Sequence, residues 1–335
     1  MTTVHAYAAS EVRGKLAPFD FQLGALGDDQ VDIGVESCGI CHSDLSMLDN
    51  EWGMSNYPAV AGHEVVGKVL AVGPHVKSVK VGDRVGLGWF SGSCMHCHPC
   101  MSGDHNMCTT AESTIVGRFG GFADRVRCNA EWAVPLPDGV DAESAGPLFC
   151  GGITVFNPIV QFDVSPTHRV GVIGIGGLGH LALQFLNKWG CEVTAFTSSP
   201  DKEAEAKRLG AHYAVNSRDG NALKPLAGRF DFILNTTNAD LDWASYIDML
   251  APRGRLHTVG AVPNPIPVPA FPMLLGQRSL SGSPMGSPAT LGKMLEFCAR
   301  HKVAPVSEFY AMSDINKALD HLRAGKARYR VILRN

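Results

Sequence analysis

Long hydrophobic runs are missing from this chain: no stretch of about eighteen consecutive apolar residues occurs, so a membrane-spanning helix is not expected. An excess of one charge is missing too. Lys and Arg number 29 against 32 Asp and Glu, a formal net charge of −3. That leaves no basic field to hold nucleic acid or an anionic membrane, and a small molecule suits such a surface better. The opening residues Met1-Thr2-Thr3-Val4-His5-Ala6 lack the cationic start and apolar core of a secretory signal, so a cytoplasmic location is expected. Internal repeats and low-complexity tracts are absent as well.

Cysteine, by contrast, is plentiful. Ten cysteines in a reducing compartment read as metal ligands, catalytic groups or buried thiols rather than disulfides. The length of 335 residues favours two domains, and the texture changes midway. From about Val4 to Val134 the chain reads as short β segments punctuated by glycine, at 31–35, 64–72, 83–87 and 122–126, which suggests a barrel-like or α+β domain. From roughly Gly151 strands alternate with helices. Residues 170–174 form an apolar strand, a helical pattern follows through Leu181, Leu183, Phe185 and Leu186, and further strands are expected at 192–196 and 231–234, with a helix over 201–209 between them. That alternation implies parallel βαβ units. The run Pro263-Asn264-Pro265-Ile266-Pro267-Val268-Pro269 fits neither helix nor interior strand and reads as an extended surface crossing. A helix is expected after Pro288.

Three clusters carry chemistry. In the first, Cys38-Gly39-Ile40-Cys41-His42-Ser43-Asp44 is answered twenty residues later by Gly62-His63-Glu64. A catalytic zinc takes three protein ligands and keeps a fourth position open. Cys41 and His63 are the first two candidates, and Cys150, in Phe149-Cys150-Gly151-Gly152, is the third. Asp44 is the expected acceptor for the other ring nitrogen of His63, as ligating imidazoles usually have one. In the second cluster, Cys94, Cys97, Cys100 and Cys108 are spaced C-x2-C-x2-C-x7-C on a loop at about 92–110, a pattern for a closed structural zinc site. An iron–sulfur centre would call for C-x2-C-x2-C-x3-C-P, and here the last gap is longer and threonine follows. His96, His98 and His105 are taken as exposed loop residues.

The third cluster, Gly174-Ile175-Gly176-Gly177-Leu178-Gly179, matches G-x-G-x-x-G directly after a strand and before a helix, which is the setting of a dinucleotide pyrophosphate. The second strand then ends Thr197-Ser198-Ser199-Pro200-Asp201-Lys202. An NAD site needs an acid there for the ribose 2′-hydroxyl, whereas hydroxyls and a lysine suit a 2′-phosphate, so NADP(H) is expected. Asp201 is read as a helix cap.

Taken together, these residues closely resemble the zinc-dependent medium-chain alcohol dehydrogenases. The wording Gly39-Ile40-Cys41-His42-Ser43-Asp44-Leu45 and Gly53-Met54-Ser55-Asn56-Tyr57-Pro58 is most similar to the cinnamyl alcohol dehydrogenase branch, and within it to bacterial broad-range aldehyde reductases. The resemblance covers essentially the whole chain. It implies a discontinuous GroES-like β-rich catalytic domain (1–150 and 289–335) and a Rossmann doubly wound parallel sheet (151–288), two zinc ions per chain, and a homodimer joined through the nucleotide domain's sheet. It also implies that Glu64 approaches the metal, that Ser43 relays a proton, and that His42, Thr154, Val259, Gly260 and Arg330 approach the cofactor. In this family the relay commonly ends at a histidine five residues after the zinc cysteine. Here that position is Ser46, and water is expected to finish the chain. Trp52, Trp89 and Phe90 fall at or near positions lining the substrate cleft, an aromatic slot for aromatic or medium-chain aliphatic aldehydes.

The expected activity is reversible reduction of aldehydes to primary alcohols with NADPH. A polyol dehydrogenase of the same superfamily, a dinucleotide-binding protein without turnover, and a zinc store or sensor are the rival readings. The last would leave the glycine loop without purpose.

Overall fold

The structure, a computed structural model, describes residues 1–199 and 202–335. The chain divides into two compact units, Met1–Ile153 with Met285–Asn335, and Thr154–Pro284.

The first unit is organised around the strand Gln30–Ile40. Its β-branched Val31, Ile33 and Val35 alternate along it and are 0–5% exposed, as a pleated, half-buried surface favours. This strand pairs antiparallel with Glu64–Val72, Arg125–Asn129 and Arg330–Arg334. The seven-stranded sheet is completed by Arg84–Leu87, Val134–Pro135 and Ser307–Ala311. Ser307–Ala311 runs parallel to Arg330–Arg334, so a crossover must join them. The helix Ile315–Arg323 supplies it, burying Ile315, Ala318 and Leu319 on one stripe.

Residues 122–126, expected as one strand, change partner partway. Tyr7 N donates to Phe122 O and Asp124 N to His5 O, so the first residues serve the N-terminal strand Thr2–Ala8. Asp124 O already accepts from Val35 N, and the ladder with the large sheet then runs over Arg125–Asn129.

The second unit is a six-stranded sheet in which every neighbouring pair is parallel. Its spatial order is Tyr213–Asn216, Glu192–Thr197, Arg169–Ile173, Phe230–Asn235, Leu250–Thr258, Ser279–Gly282. Numbered along the chain, that order is 3-2-1-4-5-6, the doubly wound Rossmann arrangement. The direction of winding reverses between Arg169–Ile173 and Phe230–Asn235, and a crevice opens there at the carboxyl ends of the strands. Ile173, Phe196, Phe230, Ile233, Tyr246, Ile247 and Leu256 form a continuous core against the sheet, each at most 2% exposed.

The expected helix over 201–209 is observed as Glu203–Arg208. Asp201, and with it the capping role assigned to it, lies outside the described residues. Residues 261–269 form no regular element, as their prolines, which lack N–H donors, dictate. The helix Ala270–Gly276 follows. Among the described residues no helix is long and apolar enough to cross a membrane.

Candidate metal centres and dinucleotide loop

Three segments far apart in sequence converge in the first unit. Cys41 stands where the strand Gln30–Ile40 gives way to the helix His42–Leu48. His63 immediately precedes the partner strand Glu64–Val72, with Gly39 directly opposite Glu64 in the ladder. Cys150 follows the turn Gly146–Phe149, whose Leu148 and Phe149 are 1% and 0% exposed and so fix where the thiol emerges.

The Cys41 and Cys150 sulfurs are 3.8 Å apart, and His63 Nε2 is 3.2 Å from Cys150 Sγ. One ligand atom each from Cys41, His63, Glu64 and Cys150 lies within 4.8 Å of the other three. A tetrahedral ion with Zn–S bonds of about 2.3 Å has ligand–ligand edges of roughly 3.8 Å, so the donor set fits zinc in spacing as well as in chemistry.

Asp44 holds this arrangement together. It is fully buried and takes three donors: His63 Nδ1 at 2.8 Å, Gly62 N at 2.9 Å and Cys41 N at 2.8 Å. One carboxylate therefore ties both ligand-bearing loops together and leaves His63 Nε2 facing the thiols. Sequence reasoning assigned Asp44 only the imidazole. The two backbone bonds carried no sequence signal.

Burial and close packing perturb the ionisable groups of the cluster in different directions. The Cys150 hydrogen bond, with His63 and Arg330 nearby, pulls the Cys41 thiol well below its ordinary value, against the effect of burial. Cys150 is pushed the other way, by the proton it shares with Cys41 and by burial. Burial pushes the His63 imidazole down, but the Asp44 carboxylate and Cys41 outweigh it and hold the ring above its usual range. Burial raises Glu64 to about 7 despite the Arg330 guanidinium beside it. Arg330 donates to Glu64 Oε1, and both groups are buried. Glu64 Oε2 is buried with no hydrogen-bond partner. A buried orphan oxygen among metal-ligating groups fits an ion in the cluster.

Arg330, expected beside the cofactor, is thus placed against Glu64. A lone arginine entering the apolar run Val331-Ile332-Leu333 was the available hint. Ser43 is half-buried with its hydroxyl 3.7 Å from Cys41 Sγ, and His42 is exposed. Ser46 is 3% exposed and donates to Glu51 Oε2 at 2.7 Å.

Trp89 packs edge-on against His63, ring centroids 5.1 Å apart, and Trp52 packs on Trp89 at 5.8 Å. Phe90, the third residue expected in the slot, is half-buried and tilts against the core residue Trp132 at 5.3 Å. Trp89 lies in the bend between the strands Arg84–Leu87 and Phe90–Gly92, and Phe90 opens the second of them.

The second cluster is local. Cys94, Cys97, Cys100 and Cys108 place their sulfurs within 4.8 Å of one another. Cys97 N donates to Cys94 Sγ at 3.3 Å and Cys94 N to Cys108 Sγ at 3.4 Å. The Cys94 N–H and the Thr110 hydroxyl pull the Cys108 thiol down to about 6, whereas burial pushes Cys100 up to about 12. His96 and His98 are exposed and outside the donor set, as is His105. His105, however, is half-buried, and its Nδ1 is buried with no hydrogen-bond partner.

In the second unit the glycine loop leaves the strand Arg169–Ile173 at the crevice. Gly174 has φ +85°, which only glycine adopts freely. A Cβ on Gly179 would stand 1.9 Å from Gly174 O, which fixes the close turn into the helix Gly179–Trp189. A Cβ on Gly176 would meet nothing within 4 Å, so the backbone there is open to a ligand. Gly177 and Leu178 complete the turn, Leu178 immediately preceding the helix. Gly260 packs so closely on Thr237 that a Cβ would lie 1.9 Å from its carbonyl oxygen, and Val259 N donates to Asn235 O. Thr237 also borders Gly174, so both predicted cofactor segments meet at one threonine.

Lys202 Nζ donates to Ile175 O at 3.1 Å, which places its charge on the glycine loop. Ser198 is exposed and Ser199 half-buried. Thr197 is different: it is 4% exposed and its hydroxyl is engaged by Ser199, accepting from N at 3.2 Å and donating to O at 3.4 Å. It shapes the turn rather than offering a free donor. Thr154 is half-buried on the helix Gly151–Gln161.

A Rossmann sheet with a glycine loop, together with a buried thiol–imidazole–thiol cluster in a β-rich unit, defines a metal-dependent nicotinamide dehydrogenase. Residues 27–138 match the alcohol dehydrogenase GroES-like domain family and residues 177–300 the zinc-binding dehydrogenase family. The chain belongs to the zinc-dependent medium-chain alcohol dehydrogenases. It is 58% identical over 330 residues to the aldehyde reductase AdhA of Synechocystis sp., covering 98% of each chain. Among solved structures it is similar to a cinnamyl alcohol dehydrogenase from Sorghum bicolor, with TM-score 0.94, 36% identity and coverage of 99% of this chain and 98% of that one. It is also similar to CAD from Helicobacter pylori complexed with NADP(H), with TM-score 0.91, 29% identity and the same coverage.

Proposed function

We propose that this chain reduces aldehydes to primary alcohols with NADPH, reversibly, over a range of aromatic and medium-chain aliphatic aldehydes. The observation that carries the reading is the convergence of Cys41, His63 and Cys150 within ligand distance of one ion. The 58% identity to an aldehyde reductase supports it. In this reading residues 1–150 and 289–335 form the catalytic domain and 151–288 the dinucleotide domain.

Cys41, His63 and Cys150 hold the catalytic zinc, and Cys94, Cys97, Cys100 and Cys108 the structural one. When bound, the catalytic zinc supplies a Lewis acid and NADPH supplies the hydride. The protein's own groups do the rest. Asp44 fixes the His63 tautomer, so that Nε2 is the ligating nitrogen. Glu64, paired with Arg330, is a neighbouring carboxylate that can approach the site without leaving an isolated charge. Trp89 and Trp52 wall the cluster against water and set an apolar slot. Ser43 holds a proton within reach of the reacting oxygen. Ser198, Ser199 and Lys202 favour a 2′-phosphate through hydroxyl donors and a positive charge.

The same reading takes in a cytoplasmic homodimer. The strand Ser279–Gly282 ends the parallel sheet, and beside it Phe271, Leu274 and Leu275 on the helix Ala270–Gly276 are 71–76% exposed. An unpaired edge next to apolar side chains favours pairing with a second copy.

The test is metal analysis of the purified protein together with an aldehyde panel assayed with NADPH and NADH. Two zinc ions per chain and a higher kcat/KM with NADPH are expected. Turnover of sorbitol-like polyols in preference to aldehydes would overturn the substrate assignment.

A further inference from the structure

The four-cysteine lobe runs directly into the bend that carries Trp89. After Cys108 the chain forms the strand Glu112–Ser113, which pairs antiparallel with Phe90–Gly92 and sets Ser113 opposite Phe90. Thr114 then meets the bend itself. It is 1% exposed, and its N donates to Trp89 O and its hydroxyl to Gly88 O, each at 2.7 Å. Gly88 and Trp89 lie between the strands Arg84–Leu87 and Phe90–Gly92, so these two bonds hold a stretch that neither strand includes.

A second connection starts inside the lobe. The turn His105–Met107, closed by Met107 N donating to Asp104 O at 2.9 Å and Cys108 N to His105 O at 3.2 Å, presents Asn106. Asn106 Nδ2 donates to Met285 O at 2.8 Å, across 179 residues of sequence. Met285 is 6% exposed and opens the segment by which the chain returns to the first unit. Its side chain ends on Gly88: a Cβ there would stand 3.1 Å from Met285 Cε and 2.3 Å from Phe149 O, the carbonyl just before Cys150. Gly88 is therefore held at its carbonyl by Thr114 and covered on its face by Met285.

We infer that Asn106 and Thr114 are positioning residues for Trp89, and that through them the four-cysteine lobe sets aldehyde selectivity as well as organising its own loop. The inference rests on the reading of Trp89 as a wall of the substrate slot and adds the groups that hold that wall. A functional side chain on a loop is placed accurately only when neighbouring bonds and packing lock it. Thr114 locks the backbone of Trp89, and Met285, anchored by Asn106, backs the residue before it. The ring that results stands 5.1 Å from His63, centroid to centroid. Neither Asn106 nor Thr114 belongs to either donor set, so changing them leaves the ligands in place and alters which aldehydes fit.

The experiment uses the zinc-loaded enzyme and compares wild type, Thr114→Val, Thr114→Ser, Asn106→Leu and Trp89→Ala with cinnamaldehyde and propanal, alongside Tm and zinc content. Thr114→Val keeps the shape and loses the hydroxyl bond. It should raise KM for cinnamaldehyde about threefold relative to propanal at unchanged kcat, because an aromatic contact is displaced rather than removed. Asn106→Leu should shift the ratio the same way, Thr114→Ser should keep the wild-type ratio, and Trp89→Ala should exceed them all. Zinc content should stay at the wild-type level throughout. An unchanged ratio in Thr114→Val or Asn106→Leu, beside a shifted one in Trp89→Ala, overturns the assignment for that residue and leaves the slot intact, whatever Tm does. A shift that appears only where zinc is lost overturns it as well, since the metal and not the two bonds would then hold the bend. An unchanged ratio in Trp89→Ala removes the slot reading and this inference together.

Discussion

The two thiol clusters of the first unit are built from similar donors in opposite ways. Cys94, Cys97, Cys100 and Cys108 lie on one loop, bond each other's backbone N–H groups and close a four-sulfur shell. Cys41, His63 and Cys150 come from three segments spanning 109 residues, and Asp44 holds two of them. A local, four-thiolate site can organise a loop that has no core of its own, so its metal contributes to folding. A site assembled by the sheet is held by the fold, so its metal is free to do chemistry. In the function proposed above, the same element would serve structure in one place and catalysis in the other.

The largest effect that would break this contrast is at the cysteines themselves. Cys41→Ala should reduce kcat/KM by at least about a thousandfold, because the Lewis acid is lost, while calorimetry shows a Tm within a few degrees of wild type. Cys100→Ser should do the reverse, lowering Tm by on the order of 10 °C, the shift that a loss of a few kcal/mol produces in a domain of this size. If both substitutions unfold the protein equally, the division of labour fails.

Asp44→Asn sharpens the comparison. It keeps the shape but removes the charge and one acceptor oxygen, so at least one of the three bonds is lost and the others weaken, and support of this kind is typically worth 10–100-fold in metal affinity or activity. Dialysis of the variant should leave about one zinc per chain, retained by the four-cysteine lobe, which Asp44 does not touch. Loss of both ions together would mean the sites are not independent.

A smaller effect is expected in the second unit. Lys202→Ala removes the charge held against Ile175 O, and one charge-assisted bond of roughly 1.5 kcal/mol predicts a rise of about tenfold in KM for NADPH with little change for NADH. An equal change for both cofactors would place the lysine on the shared pyrophosphate instead.

Legibility in the sequence followed the same division. The four-cysteine lobe and the glycine loop are contiguous, so spacing alone reports them, and the strand–turn–helix context of Gly174 to Gly179 reports the Rossmann unit. The strands were legible in kind but not in their ends. Residues 122–126 alternate correctly, yet change partner at Asp124 because the N-terminal strand competes for them. What the sequence hides is convergence. Arg330 lies 266 residues from Glu64, and only the antiparallel pairing of Arg330–Arg334 with the strand Gln30–Ile40 brings them together.

The smallest predicted effect distinguishes a wall from a core. Trp89 touches His63 on one side and Trp52 on the other, and Trp52 is 39% exposed. Phe90, the next residue, faces Trp132, which is 2% exposed. Truncating a residue that meets substrate weakens large aromatic substrates selectively, because a lost ring–ring contact is worth about 1 kcal/mol beyond area burial. Truncating a core residue lowers stability and leaves substrate preference alone. Trp52→Ala should therefore raise KM roughly fivefold for cinnamaldehyde-like substrates and leave small aldehydes unchanged. Phe90→Ala should lower Tm without altering the ratio of the two. If Phe90→Ala shifts the ratio and Trp52→Ala does not, the slot lies on the Phe90 side, and the pairing of Trp89 with His63 is a packing contact rather than a substrate wall.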